Sequence, residues 1–373
     1  MKNIPLGEII KLEYGKPLPR EDRVEGGKYP AYGANGVKAR TNKFYIDERG
    51  IIVGRKGSAG AVTLSDGPFW PLDVTYYVTF DKLKYDLKYI YWLLRTLDLP
   101  SLAVGVKPGI NRNEVYAIRV PAPGSIQEQH QTVDALEAAL KKIDRTIRLT
   151  QANLCNAVEY PNSWLKSALS DRHDHTWKTD SLSTLVSFRG GGTPSKANEG
   201  YWSGDIPWVS PKDMKTSRIT DTRDHISELA VRVSSTSIVP HDSILLVVRS
   251  GILAHSIPLA INDVDVTLNQ DMKALIPNGK ISSQLLFYIL LAYKEKLLDL
   301  VSKGATVHRL NFDQLKLLRI TYPMNPLDQE KLEVDCKIVL ERSYELQKAY
   351  SERLSDLAKL KDLLLNRAFE GKV

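Results

Sequence analysis

Two stretches of the chain carry apolar residues at alternating spacings of three and four. In the first, Val133, Leu136, Leu140, Ile143, Ile147, Thr150 and Leu154 form one narrow stripe, and neither Pro nor Gly interrupts the chain from Ile126 until Pro161. In the second, Leu332, Cys336, Val339, Leu346, Tyr350, Leu357, Leu360 and Leu364 form the stripe, with Ser343 and Arg353 as polar interruptions, in a run free of Pro and Gly from Leu327 to Phe369. Such a stripe predicts a coiled-coil seam. At 1.5 Å per residue a helix of roughly 34 residues is about 50 Å long. Neither helix buries its seam alone, so the two are expected to pair with each other, and an antiparallel pairing would place the two blocks at opposite ends of a rod. Cys155 and Cys336 would then lie close. Two inert packing thiols are the expected reading and a regulatory disulfide the alternative.

The intervening blocks read as mixed α/β. Ile51–Leu64 (IIVGRKGSAGAVTL) has the pattern of strand, Gly-rich turn and strand, and Ile244–Ala254 (ILLVVRSGILA) is its expected counterpart. In each, an apolar strand ends at an Arg beside a Gly, namely Arg55-Lys56-Gly57 and Arg249-Ser250-Gly251. Such turns suit a phosphate oxygen or a guanine edge. A solvated hairpin tip is the plainer alternative.

The blocks are a tandem repeat with a period near 200. Asn111–Pro123 aligns without gaps on Asn311–Pro323, and Pro5–Gly15 parallels Ser181–Gly191. Each repeat ends in a long helix, while the middles diverge strongly. This pattern points to two modules doing one job on different targets. The polar segment Tyr160 to Asp180 reads as the linker between them. The predicted organisation is 1–125, a first domain; 126–160, a central spacer helix; 161–325, a second domain; and 326–373, a C-terminal spacer helix.

Composition adds a partner class. The chain has 373 residues and a formal net charge of +7. The excess is local: residues 1–125 hold 19 basic and 13 acidic side chains, residues 161–325 hold 19 and 16, and both helical stretches are net acidic by one. A basic excess confined to the two blocks suits a polyanion such as DNA. No apolar run approaches a membrane span, no secretory signal is visible, and two cysteines exclude a disulfide framework, so a cytoplasmic location is expected.

Chemistry-bearing motifs are sparse. FRGGG (Phe188–Gly192) fits an FxGxG form, but Thr-Pro-Ser follows where a nucleotide-binding helix should start. No GxxxxGK[ST] loop exists, and Lys56 replaces the first Gly of a GxSxG elbow. His173 and His175 flank Asp174 without metal-ligand spacing, so no metal site is expected. Gly190–Met214 (GGGTPSKANEGYWSGDIPWVSPKDM) is loop-like yet aromatic, with Trp208 expected to be packed and Lys196 and Lys212 to face solvent.

On these residues the chain resembles the specificity subunits of type I restriction–modification systems. The carriers are YPAYGANGV, GRKGSAGAV and FWPLDVTYYV in the first block, GGTPS, YWSGDIPWVSPKDM and TLNQDMKAL in the second, and the paired ends IRVPAPGSIQEQ and LRITYPMNPLDQE. The resemblance covers essentially the whole chain. It implies an α+β fold of two tandem α/β target recognition domains, separated and joined by two long helices pairing as an antiparallel coiled coil. It also implies that each domain reads one half of a bipartite double-stranded DNA site, and that the helices set the spacer and dock two modification subunits. Those subunits hold S-adenosylmethionine and methylate adenine N6 on a flipped base. Restriction subunits, where a system has them, bring ATP, Mg and cleavage. This chain would carry no active site and no cofactor.

Candidate DNA contacts, chosen by charge and loop placement, are Lys38, Arg40, Lys43, Arg55, Lys56, Lys107 and Arg112 in the first domain, and Lys196, Lys212, Lys215, Arg218, Arg249, Lys303, His308 and Arg309 in the second. The expected coiled-coil seam is Val133, Leu136, Leu140, Ile143, Ile147, Leu154, Leu332, Val339, Leu346, Tyr350, Leu357 and Leu364. The alternatives are a scaffold whose duplicated domains bind protein or glycan, and an enzyme with an unrecognised site.

Overall fold

Alternation in Ile10–Tyr14 buries Ile10 and Leu12 and exposes Lys11 and Tyr14, as an edge strand with one covered face requires. Ile51–Gly54 is buried at every position and lies inside the same sheet. A computed structural model describes residues 2–169, 175–304 and 307–369. The chain divides into two compact units, one of residues 1–151 with 351–373 and one of residues 152–350.

In the first unit, a four-stranded antiparallel sheet runs in the order Ile10–Tyr14, Thr75–Phe80, Ile51–Gly54, Val62–Leu64. A three-stranded sheet has Tyr29–Gly33 between Gly36–Thr41 and Trp70–Pro71. Asn3–Pro5 pairs with Arg119–Pro121 and so closes the unit. The helix Leu87–Thr96, capped by Asp86, buries Tyr89, Ile90, Leu93 and Leu94 in the core.

The second unit repeats this plan. Val186–Gly190, Met272–Pro277, Ile244–Val247 and Leu259–Asn262 take the same order, and Arg218–Ile219 extends the sheet in parallel. Asp224–Ile226, Ile206–Val209 and Thr267–Leu268 make the smaller sheet, and Trp177–Ser181 pairs with Arg319–Pro323. The antiparallel neighbour of Ile244–Val247 is Leu259–Asn262, and Arg249–Ser250 belongs to a separate small sheet, so Ile244–Ala254 is not the two-stranded counterpart its pattern predicts.

Each unit receives parts of both long helices, Ile126–Ala168 and Pro326–Phe369. Ser125 and Glu128 form a reciprocal cap at the start of the first: Ser125 N and Oγ donate to Glu128 Oε2 at 2.7 and 2.8 Å, and Glu128 N reaches Ser125 Oγ at 3.4 Å. In the first unit, Val133, Leu136 and Leu140 share a core with Leu365 and Phe369, and Asp144 pairs with Lys361 at 2.8 Å. Rising numbers on one helix meet falling numbers on the other, so the pairing is antiparallel. In the second unit, Leu165 packs in one core with Cys336, and the Ala157 carbonyl meets Ser343 and Gln347, again antiparallel.

Two sequence expectations change here. The first helix does not stop at Pro161, and Tyr160 to Ala168 is helix rather than linker. Pro161 has no N–H for the Ala157 carbonyl, but Ser343 Oγ donates to that oxygen and Gln347 Nε2 donates to it at 3.3 Å. Trp164, Leu165 and Leu169 then anchor the helix end in the second core. The second seam is also displaced. Leu346 and Leu360 are 47% and 44% exposed, whereas Ser343 is buried and Gln347 and Lys361 are half-buried. These polar residues hold seam positions because each has a partner on the facing helix. Val133, Leu136, Leu140 and Ile143 are buried, and Ile147, Leu154, Leu332, Val339, Tyr350, Leu357 and Leu364 are half-buried.

The cysteines do not form a disulfide. Cys155 is exposed, and Cys336 is fully buried, its thiol pushed up to about 12 chiefly by burial. In the native chain a maleimide is expected to modify Cys155 and spare Cys336 until the second unit unfolds, as peptide mapping of the labelled site will report.

Candidate nucleic-acid interface

Each unit presents basic side chains beside the end of its larger sheet, and the backbone there is fixed by close approaches. Gly15 and Gly191, equivalent in the repeat, follow the first sheet strand. A Cβ on either would come within 2.1 to 2.2 Å of the carbonyl of Leu72 or Leu268. The next segments are strapped by indoles. Trp70 Nε1 donates to the Lys16 carbonyl at 2.9 Å, and Trp208 Nε1 donates to the Gly192 carbonyl at 2.9 Å. Trp202 meets Trp208 edge-on at 5.0 Å and donates to the Ser195 carbonyl at 3.2 Å. Trp208 is 6% exposed, while Lys196 and Lys212 face solvent. The aromatic loop is therefore a braced support for its lysines.

In the first unit Arg55, Lys56, Lys107 and Arg112 come together. Ile110 N bonds to the Arg55 carbonyl at 3.1 Å, and Gly109 bridges to both Lys56 and Val104. The turn Gly105–Pro108 projects from this ladder with Val106 fully exposed and Lys107 beside it. The Arg55 guanidinium donates to the Asp73 carbonyl at 3.2 and 2.6 Å. The Tyr76 hydroxyl, pushed up to about 12 first of all by burial, stays protonated and donates to the Ile110 carbonyl at 3.3 Å.

Lys38 and Arg40 lie on the other sheet, and Lys43 follows its strand Gly36–Thr41. Lys38 is exposed, Arg40 donates to the carbonyls of Gly27 and Lys28, and Lys43 pairs with Asp22 at 2.7 Å. Arg40 and Lys43 thus brace the segment before Tyr29.

In the second unit Arg249, Lys303, His308 and Arg309 converge on a small sheet ordered Arg249–Ser250, His308–Leu310, Val301–Ser302. Arg249 and Arg309 are direct cross-strand partners, so two cations share one face, an arrangement that repels unless an anion joins it. Asp271 offsets Arg249 at 2.8 Å, and Arg309 is exposed. His308 Nδ1 is buried and has no partner among the described residues. Lys215 is exposed on the turn after Asp213, whereas Arg218 is engaged by Asp263 at 3.1 Å and by Gln284 at 3.3 Å.

The two Arg–Gly turns are not equivalent. Arg55 N and Lys56 N share the Val74 carbonyl as Val248 N and Arg249 N share that of Asp271, so Arg249 corresponds to Lys56. Gly57 turns at φ +82, while Gly251 opens a 3-10 turn. His173 and Asp174 lie outside the described residues, and among those described no cluster of three or more His, Cys, Asp or Glu could hold a metal. Charge and loop placement did not single out Tyr14, Lys273, Phe312 or Lys316, which lie at the same sheet ends. The repeat alignment was the signal that could have found them.

Comparisons bear on what this arrangement is for. The family model described as the type I restriction modification DNA specificity domain matches residues 1–160 and again 174–363. The type I restriction enzyme EcoR124I/EcoR124II specificity subunit of Escherichia coli is 33% identical over 66% of this chain and 61% of its own length. The MjaIX specificity subunit of Methanocaldococcus jannaschii is 34% identical over 42% of this chain and 36% of its own. The chain thus spans less than two thirds of either relative. In fold, it matches the HsdS subunit from Thermoanaerobacter tengcongensis with a TM-score of 0.68 at 16% identity, covering 100% of this chain and 97% of that one. A chain from a structural study of complex assembly and conformational transition of the type I restriction–modification system gives 0.75 at 14% identity, covering 100% and 98%. With the same domain matched twice along nearly its whole length and the same fold found in solved members, the chain belongs to the type I restriction–modification DNA specificity family.

Proposed function

We propose that this chain is the DNA-specificity subunit of a type I restriction–modification complex, in which each unit reads one half of a bipartite duplex site. One observation carries the reading: a single strand plan occurs twice and each copy ends in a differently shaped basic tip, around Lys56 and Lys107 in one and Arg249 and Arg309 in the other. A shared scaffold with divergent tips suits two different base sequences on one type of backbone. The chain acts without a catalytic group or cofactor of its own. Two modification subunits supply S-adenosylmethionine and transfer the methyl group to adenine N6, and restriction subunits, where the system has them, supply ATP- and Mg-dependent cleavage. The long helices set the spacer and dock the modification subunits, a role supported by Leu327, Val334, Ile338, Tyr344 and Leu346, all 40% exposed or more on the second helix. The work is done in the cytoplasm, where the DNA is, and no helix among the described residues is long and apolar enough to cross a membrane.

The test is genome-wide N6-methyladenine mapping in a methylation-free host expressing the chain with its modification subunit, and each protein alone. One bipartite motif is expected, and only with both proteins. An assembled complex without a motif would favour the scaffold reading, and a motif from this chain alone would reveal a catalytic site. Lys107→Ala is expected to preserve the motif, weaken all duplexes about equally and lower the salt slope by about 1. Binding titrations at several salt concentrations check this.

A further inference from the structure

An aromatic ring carries two cations in each unit. In the first, the guanidinium carbons of Arg55 and Arg112 lie 5.4 and 5.3 Å from the ring centroid of Tyr14, which is half exposed. In the second, the ammonium groups of Lys273 and Lys316 lie 5.2 and 4.6 Å from the ring centroid of Phe312. The places correspond. Arg112 and Phe312 both follow the helix-capping Asn, Asn111 or Asn311. Tyr14 faces Tyr76 across the first strand pair as Gly190 faces Lys273 across the second.

The residue types are exchanged between these places. Where the helix supplies a cation, the strands supply the ring. Where the helix supplies the ring, the strand supplies a cation, and Lys273 Nζ occupies the space that a side chain on Gly190 would fill, 2.7 Å from an added Cβ. Three aligned positions differ, Tyr14 against Gly190, Tyr76 against Lys273 and Arg112 against Phe312, and a ring-borne pair of cations is still there. Among the described residues no carboxylate pairs with Arg55, Arg112 or Lys273, and Lys316 has Asp313 at 3.2 Å. Two cations on one ring repel each other, and an anion between them relieves this.

We propose that these clusters are equivalent stations for a DNA phosphate, one in each unit, with Tyr14 and Phe312 as the positioning residues. The proposal rests on the DNA-specificity reading. The two halves of a bipartite site differ in bases and share the sugar–phosphate backbone, so a feature kept in both units addresses the backbone. The exchange of Arg for Lys agrees: a phosphate accepts either, whereas bidentate reading of guanine favours the guanidinium fork. The ring holds the two cations near one another, where a phosphate oxygen can meet both.

The experiment uses the full chain assembled with its modification subunits. Two duplexes, one bearing the methylated motif and one scrambled, are titrated from low to high salt. Arg112→Gln and Lys273→Gln are each expected to weaken both duplexes by the same factor, roughly fivefold at 0.15 M salt, and to lower the slope of log affinity against log salt by about 0.9, with the methylation motif unchanged. Tyr14→Phe is expected to bind like the wild type, and Tyr14→Leu to show the shallower slope. A loss confined to the motif duplex at unchanged slope would make these residues base readers and overturn the proposal. Unchanged affinity and slope in both variants would overturn it too. A wild-type complex that binds neither duplex would instead overturn the DNA reading itself, and the stations with it.

Discussion

Phe369→Ala, four residues from the C-terminus, is expected to destabilise the unit that begins the chain, by about 3–5 kcal/mol. Phe369 is 5% exposed and its ring meets Tyr89 edge-on at 5.1 Å. Leu365 lies in the same core, with Leu6, Ile51, Ile90 and Val133. The substitution loses the burial of a large side chain, leaves a cavity and breaks an aromatic pair worth about 0.5–1.5 kcal/mol on its own. Fraying of the helix end will relieve part of the strain and favours the lower figure. The position-for-position control is Leu169→Ala, because Leu169 is fully buried where the first long helix enters the core of the second unit. It is expected to cost about 2–5 kcal/mol there. Native-state hydrogen exchange separates the two. Phe369→Ala lowers protection in Ile51–Gly54 and leaves Ile244–Val247 unchanged, and Leu169→Ala does the reverse. A loss of protection in the wrong strand would overturn this assignment of the helix ends.

These helix ends were partly legible. The seam of the first helix at Val133, Leu136, Leu140 and Ile143 follows from apolar spacing, because hydrocarbon side chains fill it. The seam of the second is less plain, since Ser343 interrupts the stripe and spacing of apolar residues passes over Gln347 and Lys361 and selects Leu346 and Leu360 beside them. Adding the repeat period of 200 to Leu136, Leu140, Ile143 and Ile147 gives Cys336, Leu340, Ser343 and Gln347, the inward-facing set. The repeat thus held the register that hydrophobicity concealed. The braced tips were less legible still. A cation's partner is set by tertiary approach, so nothing local distinguishes Arg40 and Arg218, tied to their own unit, from the exposed Arg309. Tyr14 was passed over for a related reason: an aromatic ending an edge strand is ordinary until two guanidiniums lie on it.

Removing both donors to the Ala157 carbonyl, Ser343→Ala with Gln347→Ala, is expected to cost about 3 kcal/mol of stability in the second unit. Ala157 is buried, and Pro161 denies its oxygen the usual partner four residues on. The loss combines a hydrogen bond worth about 0.5–1.5 kcal/mol with about 1–3 kcal/mol for a buried acceptor left bare. Pro161→Ala reverses the logic. It gives residue 161 an N–H that reaches the Ala157 oxygen within the helix, so the same pair of substitutions made on that background is expected to cost less than about 1 kcal/mol. Urea unfolding of the four variants forms a double-mutant cycle with a coupling of about 2 kcal/mol. Additive costs would mean that the serine and glutamine stabilise the helix pair in some way unrelated to the proline. Strong coupling makes the polar trio a register lock. Sliding the helices would take Ser343 and Gln347 away from the carbonyl and leave it without them, and a hydrocarbon seam has no comparable penalty for slipping. A chain proposed to hold two half-site readers at a set spacing gains from such a contact, because its stability cost is met only in the correct register.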